Sequence, residues 1–127
     1  MRTWTADSDA PAAIAWALMV HPGAWSSWAP HVRGAWGLGT PEVQEGATGA
    51  ARLLGFLPVP AKITAKSERS WTWQVGPAEM VHRVEPRDSG CVVAIDLSAP
   101  GPLEPALAAT YGPVIQVMLN NLARVAR

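Results

Sequence analysis

Residues 61–75 read Ala61-Lys62-Ile63-Thr64-Ala65-Lys66-Ser67-Glu68, then Arg69, then Ser70-Trp71-Thr72-Trp73-Gln74-Val75. In the first run Ile63, Ala65 and Ser67 oppose Lys62, Thr64, Lys66 and Glu68; in the second Trp71, Trp73 and Val75 oppose Thr72 and Gln74. A period of two belongs to a strand with one face on a core and the other on water. Two such runs in tandem predict strands of an antiparallel sheet. Gly76-Pro77 turns the chain, and two more strands follow, Glu79 to Glu85 and Cys91 to Ser98, around the loop Pro86-Arg87-Asp88-Ser89-Gly90, whose Asp-Ser-Gly tail is turn chemistry.

The same period extends toward the N-terminus. Val43 to Leu54 reads as a strand with Gly46 and Gly49 inside it, where a bulge or tight bend is the usual reason for glycine, so the sheet is expected to curve strongly. Before the Gly39-Thr40-Pro41 turn, Val32, Gly34, Trp36 and Leu38 alternate with Arg33, Ala35 and Gly37, and Arg2 to Ala6 alternates weakly. Between these outer strands the pattern is helical. Ser8-Asp9-Ala10-Pro11 offers a capping side chain and a first-turn proline to a short helix from Ala12 to Val20, which His21-Pro22-Gly23 must end. Trp25 and Trp28, three apart, share a face of one further turn, stopped by Pro30 and assigned to structure. After Ala99-Pro100-Gly101-Pro102 the period becomes 3.6: Leu107, Tyr111, Ile115, Met118, Leu119, Leu122 and Val125 form one stripe of a helix from Leu103 to Val125, with Gln116, Asn120 and Arg124 on another. Gly112-Pro113 in its middle predicts a kink or a brief break.

The whole-chain quantities narrow the function. A length of 127 residues suits a single domain, 1–127. Ten Lys and Arg against ten Asp and Glu leave no basic excess for a nucleic-acid backbone or an anionic membrane. A single cysteine, Cys91, and an N-terminus without a basic-then-apolar order predict a cytoplasmic protein. The apolar stretch Ile14 to Val20 is far short of the roughly 20 residues that span a bilayer. His21, His31, His82 and Cys91 show no metal-ligand spacing, and no glycine-rich phosphate loop or nucleophile motif is present, so neither metal nor cofactor is expected. The unusual feature is seven Trp beside one Phe and one Tyr, which suggests a thick core or an aromatic-walled cavity.

The order strand, two short helices, about six antiparallel strands, long C-terminal helix resembles the helix-grip fold of the SRPBCC superfamily, which includes START domains, the plant pollen-allergen (Bet v 1) type and polyketide cyclases/dehydrases. The residues that carry the likeness are Ser8-Asp9-Ala10-Pro11 before the Trp16 helix, Trp28-Ala29-Pro30, Glu45-Gly46-Ala47-Thr48-Gly49, Trp71-Thr72-Trp73, His82-Arg83-Val84-Glu85-Pro86 before Gly90, and Asn121-Leu122-Ala123-Arg124. The resemblance covers nearly the whole chain. It implies an α+β helix-grip fold in which a curved antiparallel sheet of about six or seven strands wraps a long kinked helix, with a cavity between the two.

Against that fold, the alternation Met80, His82, Val84 puts His82 on an apolar face turned to the cavity, either as a proton donor or acceptor near neutral pH or as a hydrogen-bonded structural histidine. Tyr111 either polarises a carbonyl from the apolar stripe or packs as a core tyrosine. Arg52 and Glu45 sit in the glycine-containing strand; Arg52 binds a carboxylate or enolate if the strand slips by one residue, and is otherwise a solvated charge. Trp36, Trp71 and Trp73 either wall a pocket or fill the core. The expected function is binding of a small hydrophobic or aromatic metabolite by Trp36, Arg52, Trp73, His82, Leu97, Tyr111 and Met118, in a monomer or homodimer. Two alternatives stay open. One is a cofactor-free polyketide cyclase or dehydratase in which His82 and Tyr111 move protons; the other is a protein-interaction module with a filled core.

Overall fold

The computed structural model describes residues 1–29, 32–39, 42–53 and 57–127, with the side chains of 32–36, 51–53 and 57–59 outside that description. Its elements are β1 (Arg2–Ser8), α1 (Ala12–Val20), a 3-10 helix (Pro22–Ser27), β2 (Val32–Trp36), β3 (Thr48–Leu53), β4 (Leu57–Lys66), β5 (Ser70–Val75), β6 (Ala78–Arg87), β7 (Gly90–Ser98) and α2 (Leu103–Val125). The strands form one curved antiparallel sheet in the order β1-β7-β6-β5-β4-β3-β2. Strands β2 to β7 are a meander, and β1 joins it beside β7. The two short helices therefore carry the chain from one edge of the sheet to the other, and α2 packs across the concave face against β1 and β7.

The tandem alternation of residues 61–75 becomes the middle of this sheet. Trp71 stands opposite His82 and His82 opposite Ile95, while Trp73 stands opposite Met80 and Met80 opposite Leu97, so one ladder of large side chains crosses β5, β6 and β7 on the inner face. Trp71, Ile63, Val93 and Ile95 are fully buried there, joined by Ile115, Leu119 and Leu122 from α2. Burying a side chain of this size contributes about 1.5–3 kcal/mol, which makes this layer the main source of stability.

Several expectations need correction. Strand β3 starts at Thr48, not Val43, because Gly46 takes a positive φ of 84° and the Ala47 N–H donates to Gln44 O in a turn. Val43 is nevertheless fully buried, and its N–H donates to Val20 O. Glu45 consequently lies outside the strand, exposed, and accepts a hydrogen bond from the Lys66 backbone N–H. Strand β4 starts at Leu57, through Pro58 and Pro60; β5 ends at Val75 opposite Ala61, so residues 57–60 are paired on one side only and the missing N–H groups cost no ladder bond on the other. The alternation of β4 fails at Ala65, which is exposed, because the register with β5 shifts between Ile63 and Ala65. Ser8 is no helix cap: it closes β1, and its hydroxyl donates to Ala123 O on α2.

Helix α2 runs unbroken through Gly112-Pro113. Pro113 faces solvent, where water can take the carbonyl its ring leaves unpaired. Gly112 faces the sheet, and a Cβ there would lie 2.9 Å from the Trp4 ring, so the glycine lets the helix settle on β1. Val125 of the predicted apolar stripe is 40% exposed, and Ala123 and Ala126 are buried instead. Among the described residues no helix is long and apolar enough to cross a membrane.

Candidate functional site

Helix α1 sets the geometry of the site. Its last four carbonyls have no partner within the helix, as at any helix end, and no glycine cap follows at once. The His21 ring donates to Ala17 O, the Trp28 indole to Leu18 O at 3.0 Å, and the Val43 backbone to Val20 O. Met19 O accepts two indoles, Trp25 at 2.9 Å and Trp71 at 3.1 Å. Three tryptophans from two parts of the chain are thus pinned by one helix end. The stacked pair Trp25 and Trp71, 5.4 Å apart and 9° from parallel, follows from their shared acceptor. Trp73 meets both edge-on, and its N–H donates to Met80 Sδ at 3.4 Å.

Beside these rings lies a cavity of about 250 Å³, bounded by the 3-10 helix (Trp25, with Trp28 and Ala29 just beyond it), the inner face of β5–β7 (Trp71, Trp73, Met80, His82, Leu97) and α2 (Leu103, Leu107, Tyr111, Ile115, Met118). The core is therefore not filled. Because all four indole N–H groups are already bonded to backbone or sulfur, the tryptophans present only carbon edges and ring faces to this space. Among the described lining residues none is Lys, Arg, Asp or Glu; the remaining polar side chains are His82 and Tyr111.

His82 is the centre of the wall. Its ring lies parallel to Trp71, with centroids 3.8 Å apart, and edge-on to Trp73. It is 4% exposed, and Nδ1 has no hydrogen-bond partner among the described residues. Burial pushes its pKa down to about 3, against the opposing pull of the Trp71 and Met80 carbonyls and the charge of Asp96. The imidazole is therefore neutral at physiological pH.

Of the residues singled out in the sequence, Trp73, His82, Leu97, Tyr111 and Met118 come together on this wall, and so does Trp71. Trp36 and Arg52 belong to β2 and β3, but their side chains lie outside the described residues. Sequence reasoning assigned Trp25 and Trp28 to structure alone, whereas they both cap α1 and wall the cavity. The signal that could have found them is a short helix ending in His-Pro-Gly with indole donors a few residues on.

The family model described as polyketide cyclase/dehydrase and lipid transport matches residues 3–127. The chain belongs to this family. No curated protein matches it. Among solved structures, a Thermobifida fusca protein has 22% identity and a TM-score of 0.78, with 98% of this chain and 91% of that one covered. The crystal structure of Ara h 8.0201 has 12% identity and a TM-score of 0.73, with coverage of 98% and 94%. A Polyketide_cyc-like protein from Corynebacterium glutamicum has 15% identity and a TM-score of 0.63, with coverage of 98% and 89%. At such identities the likeness establishes the helix-grip fold, and this cyclase/dehydrase family member's own cavity must carry any statement about its ligand.

Proposed function

We propose that the protein binds a small hydrophobic or aromatic metabolite in the cavity between the curved sheet and α2. The observation that carries this reading is the wall itself: a cavity of about 250 Å³ lined by apolar side chains and by four tryptophans whose N–H groups are bonded elsewhere. Such a surface gives up little hydration to an apolar guest and offers ring-stacking contacts to a planar one. The volume is slightly below the common range of roughly 300–1,000 Å³ for ligand pockets, so the guest is small.

The cyclase or dehydratase reading draws on His82 and Tyr111 sharing one wall. It is the weaker of the two, because a general base works best with a pKa near the working pH, and burial holds His82 at about 3. A neutral imidazole of that kind accepts a hydrogen bond better than it removes a proton from carbon.

Native mass spectrometry of the purified chain, with and without added apolar aromatics, tests the binding reading. The expected result is a one-to-one adduct of low mass, lost in Ala78→Trp, which places an indole in the cavity beside Val75. A folded wild-type chain that takes up no apolar aromatic compound would overturn it.

A further inference from the structure

The cavity wall carries one feature that an indiscriminate apolar pocket would not have. His82 is buried to all but 4%, is held face to face with Trp71 and edge-on to Trp73, and its fully buried Nδ1 has no hydrogen-bond partner among the described residues. Buried polar groups are nearly always satisfied, and one left unpaired is destabilising. A hydrophobic side chain at position 82 would complete the layer between Met80 and Val84 without that cost. An imidazole on the cavity wall offers an entering guest a hydrogen bond that such a side chain cannot.

The surroundings restrict what that partner is. The lining offers no charged side chain among the described residues, so an ionised carboxylate or amine would lose its hydration with nothing to replace it. A neutral imidazole carries one N–H and one lone pair. Nδ1 is shut away from the cavity, so Nε2 is the nitrogen open to a guest; the Trp71 and Met80 carbonyls near the ring can only accept, which favours the ring proton on Nδ1 and leaves the Nε2 lone pair for a donor. The size of the space limits the guest further. An apolar cavity of about 150 Å³ is enough for benzene, so about 250 Å³ suits one ring or two fused rings.

We infer that the cavity takes a neutral aromatic molecule of one or two fused rings bearing a hydroxyl group, which stacks among the tryptophans and donates its hydrogen bond to the imidazole of His82. This rests on the binding reading above and narrows it to a ligand class. His82 is on this view the specificity-determining residue of the cavity.

The test is a calorimetric titration of the wild-type chain with naphthalene, 2-naphthol and 2-naphthoate at pH 7.5, repeated with His82→Phe. A hydrogen bond made to an otherwise unsatisfied buried group is worth about tenfold in affinity. The expected result is 2-naphthol bound about tenfold more tightly than naphthalene, 2-naphthoate bound more weakly than both, and the ratio of naphthol to naphthalene affinity brought to about one in His82→Phe. Naphthalene and 2-naphthol binding equally to wild type would overturn the hydroxyl inference and leave the apolar-cavity reading standing, and this comparison needs no variant. A naphthol advantage that survives in His82→Phe would remove His82 as the acceptor. Tightest binding of 2-naphthoate would overturn the neutral class, and no binding of any of the three would overturn the cavity reading itself.

Discussion

His82 and Arg83 are neighbours in β6 and face opposite sides of the sheet, and the two sides treat a titratable group in opposite ways. On the inner side His82 is stacked on Trp71, edge-on to Trp73, neutral, and without a partner for Nδ1 among the described residues. On the outer side Arg83 donates to Asp96 through Nε at 2.9 Å and through a terminal nitrogen at 3.2 Å, and also to Glu85, while the Thr3 hydroxyl donates to Asp96 at 2.7 Å. The outer groups are charged and satisfied within the protein. The inner group has no hydrogen-bonding side-chain partner among the described residues. The sheet thus pairs the charged group on one face and leaves a neutral polar group on the other beside a cavity, and the distinction is drawn within two consecutive residues.

The sharpest way to break the inner face is Trp71→Ala. It removes a fully buried indole that stacks on both His82 and Trp25 and donates to Met19 O. The expected loss is about 3–5 kcal/mol, read by denaturant unfolding. A loss below about 1 kcal/mol would mean that the tryptophan layer is not the core of the fold.

The next effect is the acid response of His82. An unfolded histidine titrates near 6.5, and in the folded chain His82 titrates at about 3. Between these values the unfolded state binds the extra proton, so stability is full above about pH 6.5 and falls as pH drops, by up to about 1.4 kcal/mol per unit. His82→Phe is expected to remove this slope, a difference of about 3 kcal/mol by pH 4. Unfolding curves of the two chains at a series of pH values check it; parallel curves between pH 6.5 and 4 would show that the imidazole is not buried neutral.

How much of this was visible in the sequence depends on whether the cause is local. The two strands of 61–75, the inward positions Ile63, Trp71, Trp73 and His82 and the boundaries of α2 were legible because period and burial agree there, although Thr72, read as outward, is buried and Ser67, read as inward, is exposed. What was not legible had a distant partner. Ser8 looked like a cap because Ser-Asp-x-Pro commonly is one, yet its hydroxyl bonds Ala123 on the far side of the chain. Ala65 was placed inward by parity, and a register shift against β5, which no single strand encodes, put it outside. Trp25 and Trp28 read as packing because nothing in their spacing says that α1 will need donors for Leu18 and Met19. The cavity itself was expected from resemblance, since whether tryptophans fill a core or line it depends on how their rings are held, and here that is decided by α1.

On the outer face, Asp96→Ala is expected to cost about 1–2 kcal/mol, less than the inner substitution because Arg83 keeps Glu85 and some access to water. Its pH signature separates the two faces. Burial opposes the Asp96 charge, but the hydrogen bonds from Arg83 and Thr3 and the Arg83 charge outweigh it, so the carboxyl titrates below the ordinary value. Its contribution is present in full above the unfolded value of about 3.9 and is lost as pH falls through the lower folded value. Asp96→Ala should therefore flatten the stability curve only below about pH 4, leaving the His82 slope above it intact. A change above pH 5 would mean that the faces are coupled through the sheet.

The smallest effect is expected from Tyr111→Phe. Tyr111 lines the cavity from α2 but is only partly buried, so its hydroxyl keeps water within reach in the empty state and the deletion should move stability by less than about 0.5 kcal/mol. Affinity for 2-naphthol should change by less than about threefold, because the tyrosine hydroxyl exchanges a water for a ligand bond whereas His82 has no such alternative. Calorimetry on the same ligand with both variants ranks the two groups directly. If Tyr111→Phe weakens 2-naphthol more than His82→Phe does, the polar handle lies on the helix, and the contrast between the two faces of β6 is structural without being the source of specificity.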